Sequence, residues 1–214
     1  MTRELFADIR VDIDDGVVLL RGRALPHETG LLQGVESVTV AAPLRRMVTP
    51  GGLTMSVAMT NCGEVGWVSD RAGYRYAPLD PLHGKPWPAL PAAFRSLATD
   101  AAADAGFAGF LPDVCLVNEY APGTRLSLHQ DRDEHDFAHP IVSVSLGMSA
   151  TFLLGGLARR DRTQRIPLHH GDVLVWGGPA RLRYHGVLAV KDVAHPSLGA
   201  RRINLTFRCA GRGP

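Results

Sequence analysis

The second half of the chain is a succession of short apolar runs broken by turn residues, and this rhythm restricts the fold more than any other feature. VCLVNEY, RLSLH, IVSVSLG, TFLLGG, DVLVWGG, RLRYHGVLAV and RINLTFR follow one another between residues 114 and 208, with Gly, Pro and Asp between them. Short runs rich in Val, Ile, Leu and aromatic residues, bounded by such clusters, read as strands. Strands in series must hide their edges, which a sandwich or jelly roll does. The expected class is mainly β with flanking helices. A short strand is also expected at VVLL, residues 17–20, and another at LTMSVAM, residues 53–59.

Two helices should cover one face of these strands. In PHETGLLQGVESV, residues 26–38, Leu31, Leu32, Val35 and Val38 share one helical face, although Gly30 and Gly34 weaken the pattern. Over residues 91–105, Leu90, Phe94, Leu97, Ala101 and Ala105 recur at helical spacing, with Pro91 at the start and Gly106 beyond the end. Between them, residues 45–90 mix Trp67, Tyr74, Tyr76 and Trp87 with Arg45, Arg46, Arg71, Arg75 and Lys85. A polar stretch of this kind with aromatics set into it is expected to be a lid over a site.

At 214 residues the whole chain, 1–214, is expected to be one domain, with the lid at about 45–90 and a β core at about 110–210. The formal net charge of +2 permits a polyanionic partner without requiring one. Cys62, Cys115 and Cys209 are far apart and include no CxxC pair, which opposes a disulfide framework or zinc knuckle and favours a reducing compartment. The N-terminus MTRELFADIRVDIDDG carries acids where a signal peptide needs an apolar run, and no uncharged span of membrane length occurs. The expected location is the cytoplasm.

Chemistry concentrates in LSLHQDRDEHD, residues 126–136. Strand alternation sends Leu126 and Leu128 to one face, and Ser127, His129 and Asp131 to the other. An imidazole and a carboxylate at one spot make two thirds of a facial triad for non-haem Fe(II). Taken alone, a surface His–Asp pair explains them as well. A calcium loop opening at Asp131 would need Gly and Glu where Asp136 and Val142 stand, and no HExxH motif is present. A third ligand should come from another strand, and His185 in RLRYHGV is the best placed, with a half-buried structural histidine as its plain alternative. In RINLTFR, alternation separates Ile203, Leu205 and Phe207 from Arg202, Asn204, Thr206 and Arg208. Guanidinium forks suit carboxylates, so a dicarboxylate cosubstrate would use both arginines. Asn118 and Tyr120 share one face of VCLVNEY and offer it further hydrogen bonds.

These residues, with MVTPGGLTMSVAMTNCG, GKPWPALP, NEYAPGTRLSLHQDRDE, PIVSVSLG, HGDVLVWGG, RLRYHG and RINLTFR, resemble the AlkB family of Fe(II)- and 2-oxoglutarate-dependent nucleic-acid dealkylases over most of residues 47–208. The resemblance implies a double-stranded β-helix, a form of jelly roll, with an N-terminal nucleotide-recognition lid. It implies Fe(II) held by His129, Asp131 and His185 as metal and catalytic residues, with 2-oxoglutarate and O2 as cosubstrates. Arg202 and Arg208 match the arginines that hold the 2-oxoglutarate carboxylates, assisted by Asn118, Tyr120 and Asn204. Trp67 matches the residue that stacks on the damaged base, Asp133 the acid that reads its exocyclic nitrogen, and Met47, Thr49, Tyr74 and Arg159 match lid and rim positions. Glu119 and Arg125 depart from the pattern beside the site.

The activity so implied is oxidative demethylation of bases such as 1-methyladenine and 3-methylcytosine in single- or double-stranded DNA, and in RNA, releasing formaldehyde and succinate. The chain is expected to act as a monomer without a membrane. The alternatives are the same iron chemistry on RNA alone, protein or a small molecule, and a non-catalytic nucleic-acid binding module. The aromatic and basic lid favours nucleic acid, and an intact ligand set is superfluous in a mere binder. Glu134, His135 and Asp136 are expected to be solvated turn residues.

Overall fold

The computed structural model describes residues 9–211; residues 1–8, which carry part of the acidic N-terminal stretch, and 212–214 lie outside the described residues. In chain order come β1 (Ile9–Asp14), β2 (Val17–Arg21), α1 (Glu28–Ala41), β3 (Ala58–Gly63), β4 (Gly66–Asp70), β5 (Gly73–Ala77), β6 (Leu79–Asp80) and β7 (Lys85–Pro86). Then follow α2 (Ala92–Asp104), β8 (Val114–Tyr120), β9 (Leu126–His129), β10 (Ile141–Gly147), β11 (Ala150–Leu154), β12 (Gln164–Leu168), β13 (Val173–Trp176), β14 (His185–Val187) and β15 (Arg202–Arg208). A major sheet runs β1-β2-β13-β10-β15-β8-β3 and a minor sheet runs β12-β11-β14-β9, while β4-β5 and β6-β7 are separate hairpins. All the strand pairings are antiparallel.

The major sheet is covered on both faces, and the alternation of its strands assigns the two layers. Val142, Val144, Leu146, Ile203, Leu205 and Phe207 join Leu31, Val35 and Val38 of α1 and Phe94 and Leu97 of α2 in one buried apolar cluster. On the other face Leu19, Leu116, Leu174 and Trp176 meet Phe152, Leu154 and Val187 of the minor sheet in a second cluster. The two sheets therefore form the expected jelly-roll sandwich, with both helices outside the major sheet. Phe94 is fully buried and meets Phe207 edge to face at 5.8 Å, so its removal would cost about 3–5 kcal/mol. Gly34, which weakened the helical pattern, has a packing reason: a Cβ there would lie 2.6 Å from Cε1 of Phe94. Its absence lets α1 sit close on α2.

Three stretches differ from expectation. LTMSVAM joins β3 only at Ala58 and Met59, because Gly52 at φ +84° closes a turn over residues 49–53 that leaves just an isolated bridge from Val48 to Thr54. RLRYHGVLAV is strand only at His185–Val187, since a 3-10 turn at Gly178–Ala180 carries on into Arg181 and Arg183 through i to i−3 hydrogen bonds. Gln164–Leu168 is an unexpected strand; Pro167 argues against one, yet β12 is a sheet edge where its missing N–H costs nothing. No helix among the described residues is long and apolar enough to cross a membrane.

Candidate active site

The minor sheet brings two histidines face to face. β14 pairs with β9 so that His185 lies opposite His129, and their ring centroids are 4.4 Å apart. Gly186 permits this approach, because a Cβ on it would lie 2.7 Å from the Leu126 carbonyl oxygen of β9. Asp131 enters from the loop just beyond β9, and one ligand atom from each of His129, Asp131 and His185 lies within 4.8 Å of the others. The sequence expectation that these three converge is met, although Asp131 stands past the strand end rather than on it.

The histidine tautomers follow from their backbone partners. Nδ1 of His129 lies 2.9 Å from the Ser127 carbonyl and Nδ1 of His185 lies 3.0 Å from the Arg183 carbonyl. A carbonyl only accepts, so each Nδ1 carries the proton, and in the neutral ring each Nε2 presents a lone pair. Those Nε2 atoms lie 3.5 and 3.8 Å from the Asp131 carboxylate. Phe152 stacks on the His185 ring at 5.7 Å and Trp176 meets it edge-on at 5.0 Å, which fixes its orientation. Burial and the neighbouring His129 push the His185 imidazole down to about 4, so it is neutral near pH 7 and ready to ligate. Burial works to raise the Asp131 carboxyl, but the Arg208 guanidinium together with the His129 and His185 imidazoles outweighs it and holds the carboxyl well below its usual range. Two imidazole nitrogens and a carboxylate are the donor set of a facial triad for Fe(II).

Beside the triad lies a buried polar strip made by β15 and β8. Arg202, Asn204, Thr206 and Arg208 project from the face opposite Ile203, Leu205 and Phe207, and all four are buried. On an exposed sheet this side would be solvated; here the minor sheet covers it. Arg202 stands opposite Tyr120 and Asn204 opposite Asn118 in the β15–β8 register. Arg202 lies over the Tyr120 ring at 4.8 Å and donates through Nη2 to Ser145 Oγ at 3.0 Å. Among the described residues its Nε and Nη1 have no hydrogen-bond partner, and neither do Nη1 of Arg208 and Oδ1 of Asn118. Leaving a buried guanidinium unpaired costs several kcal/mol. Arg208 already donates to the Asp131 carboxylate through Nε and Nη2 and keeps only Nη1 open, whereas Arg202 has no carboxylate partner among the described residues, so the open donors of the strip, those of Arg202 above all, fit a dicarboxylate such as 2-oxoglutarate.

Trp67 and Tyr74 come from the β4–β5 hairpin, where their rings stack at 5.6 Å. Trp67 is on the strand β4. Its Nε1 donates to Asp133 Oδ2 at 2.8 Å, which ties the hairpin to the loop carrying Asp131. Thr49 Oγ1 accepts the Leu53 N–H and holds its own turn, Met47 is buried in the apolar cluster that Trp67 packs against, and Arg159 is exposed in the β11–β12 turn. Among the described residues, no hydrogen bond or ion pair joins Met47, Thr49 or Arg159 to the triad.

One expectation is overturned. Glu134 is not a solvated turn residue: it is 6 % exposed. It accepts the Tyr76 hydroxyl at 2.7 Å and lies 3.1 Å from Arg181 and 3.3 Å from Arg208. Arg181 also donates to the carbonyls of Asp131 and His139 and lies over the Phe137 ring, so it braces the whole loop beyond β9. An acid in a run of charges carries no local mark of burial, and neither Tyr76 nor Arg181 is near it in sequence. Only the partners reveal it.

Comparison with known proteins agrees with this geometry. Residues 16–208 match the 2OG-Fe(II) oxygenase superfamily. The chain is 55% identical over 210 residues to the alpha-ketoglutarate-dependent dioxygenase AlkB of Salmonella typhimurium, covering 97% of both chains. It is 52% identical over 212 residues to the AlkB of Escherichia coli, covering 98% of both. The solved structure of OsALKBH1 superposes with a TM-score of 0.80 at 28% identity, over 93% of this chain and 100% of that one. The chain belongs to the AlkB family of the 2OG-Fe(II) oxygenase superfamily and is an Fe(II)- and 2-oxoglutarate-dependent dioxygenase.

Proposed function

We propose that this dioxygenase removes methyl groups from the pairing edge of nucleic-acid bases, 1-methyladenine and 3-methylcytosine foremost, in DNA and secondarily in RNA, acting as a monomer in the cytoplasm. The observation that carries this reading is the Trp67–Asp133 hydrogen bond, which ties an indole to a carboxylate two residues beyond Asp131 of the triad. His129, Asp131 and His185 would hold the iron, and Arg202 and Arg208, with Asn118, Tyr120 and Asn204, would hold 2-oxoglutarate. When bound, iron with 2-oxoglutarate and O2 supplies hydroxylation of an alkyl carbon, with release of succinate and carbon dioxide. An N-hydroxymethyl base then falls apart to the free base and formaldehyde.

The chain's own residues decide which alkyl group is presented. A methyl on adenine N1 or cytosine N3 blocks pairing, so the base is cheap to extrude, and it is cationic. A cation favours an aromatic face and a nearby carboxylate. Trp67 offers the face, and Tyr74 stacked beside it, with Met47 and the Thr49 turn, supports the rim. Asp133 has one oxygen committed to the indole and the other available to accept from the exocyclic amino group. Arg159 is placed to meet a phosphate without reading sequence. Residues 45–90 serve as the lid of a single domain whose core is the two-sheet sandwich.

The test is direct. Iron-loaded protein is incubated with 2-oxoglutarate, ascorbate and single-stranded oligonucleotides carrying either lesion. Loss of the methyl mass with matching formaldehyde is expected. Unchanged oligonucleotides, with iron-dependent succinate release intact, would assign the same centre to another substrate.

A further inference from the structure

Several arginines among the described residues have carboxylate partners: Arg21 pairs with Asp172, Arg45 with Asp80, Arg75 with Asp70, Arg183 with Asp14 and Arg201 with Glu119. Arg159, Arg160, Arg162 and Arg165 are different. All four are exposed, and among the described residues no hydrogen bond or ion pair holds their guanidinium groups. The acid among them, Asp161, does not neutralise them: its carboxylate accepts the Ala158 N–H at 2.9 Å and lies against Gly156, where it shapes the turn.

The strand register locates this charge. His129, His185, Leu154 and Gln164 are successive partners across the minor sheet from β9 to β12. Because β9 and β11 both run antiparallel to β14, they are parallel to each other, and the loops after His129 and after Leu154 leave the sheet at the same end. The first loop carries Asp131 and Asp133; the second carries Arg159, Arg160 and Arg162. Gly155 and Gly156 are hydrogen-bonded to Tyr184, the residue before His185, so the base of the arginine turn is anchored at the triad. β9 and β11 are two strand spacings apart, roughly 10 Å. At the rise of about 3.4 Å per nucleotide of a stacked, helical strand, that is about three nucleotides.

An exposed sheet edge also attracts positive charge as protection against pairing with other chains. Arg165 and Pro167 lie on the edge strand β12 and serve that purpose. Arg159, Arg160 and Arg162 are in the turn, where there is no ladder edge to protect.

We propose that Arg160 and Arg162 are a phosphate-binding arm that grips the target's own strand about three nucleotides away from the base in the site. This rests on the nucleic-acid reading above and extends it from the target nucleotide to its flanks. The arm supplies affinity and no sequence preference.

The test compares wild type with Arg160→Ala/Arg162→Ala on two methylated substrates, a trinucleotide too short to reach the arm and a single-stranded 15-mer of about five times that length. The expected result is a KM raised about tenfold on the long strand, with kcat and KM on the trinucleotide unchanged. The slope of log Kd against log salt should fall by about 1.4, for two phosphates at about 0.7 each. Arg160→Lys/Arg162→Lys should restore both. Equal KM and equal slope on the long strand would overturn the proposal, as would a defect confined to duplex substrate, which would place the arm on the opposite strand. A wild type that binds the long strand but demethylates neither substrate refutes the dealkylase reading, and the salt slope still decides the arm.

Discussion

Replacing Glu134 by Gln is the sharpest test of the reading that the loop beyond β9 is held by a buried charge network. The group comprises two carboxylates, Asp131 and Glu134, and two guanidinium groups, Arg181 and Arg208, linked as a chain of ion pairs from Asp131 to Arg208, from Arg208 to Glu134 and from Glu134 to Arg181. It is balanced as it stands. Glu134→Gln removes one negative charge and leaves Arg181, which is 2 % exposed, without its carboxylate. Breaking a buried pair from one side costs about 3–5 kcal/mol. Gln keeps a carbonyl to accept the Tyr76 hydroxyl and Arg208, so the lower end, about 3 kcal/mol, is expected. For a chain of this size that is a fall in melting temperature of about 6–12 °C. Glu134→Ala also orphans the Tyr76 hydroxyl and should cost about 1–3 kcal/mol more. Urea unfolding of the two variants beside Asp133→Asn measures this, and a double-mutant cycle with Arg181→Met should give a coupling of about 2 kcal/mol. If Glu134→Gln unfolds within about 0.5 kcal/mol of wild type, as a surface substitution does, Glu134 is solvated and the network does not brace the loop.

Other changes probe the site itself. Arg202→Lys loses the fork over Tyr120 and should raise the KM for 2-oxoglutarate about 10- to 100-fold with kcat at saturation retained; an unchanged KM would remove Arg202 from the cosubstrate pocket. Gly186→Ala forces a Cβ against the Leu126 carbonyl and should push β14 off β9, weakening Fe(II) or Mn(II) binding about 10- to 100-fold by titration. Metal affinity equal to wild type would show that the strand contact does not set the triad. Trp67→Phe keeps an aromatic face but loses the bond to Asp133, while Trp67→Ala also loses stacking worth about 1–3 kcal/mol. The KM for methylated oligonucleotide should therefore rise in the order wild type, Phe, Ala, and equal values for Phe and Ala would exclude stacking.

What could be read from the chain alone was whatever depends on local periodicity. Alternation in RINLTFR separated the Arg202, Asn204 and Arg208 face from the Ile203, Leu205 and Phe207 face, and helical spacing found α2, because those patterns are set by backbone geometry. The same local rule marked His129 and Asp131 as neighbours, and family motifs supplied the roles that spacing left open. Boundaries set by a partner segment were not readable: the edge position that tolerates Pro167, the turn that shortens β14 and the Phe94 contact that explains Gly34.

Burial was the larger gap. Whether the polar face of β15 is wet or dry depends on the minor sheet folding over it, and that decides whether two arginines are surface charge or a pocket for a dicarboxylate. Glu134 passed for a solvated acid because its partners Tyr76, Arg181 and Arg208 lie 58, 47 and 74 residues away in the chain, as their numbers show. The sequence by itself determined which side chains alternate on which face and which chemistry they can perform. Only the tertiary structure decided which faces lose water, since desolvation is a property of what packs against a residue and not of its neighbours in the chain.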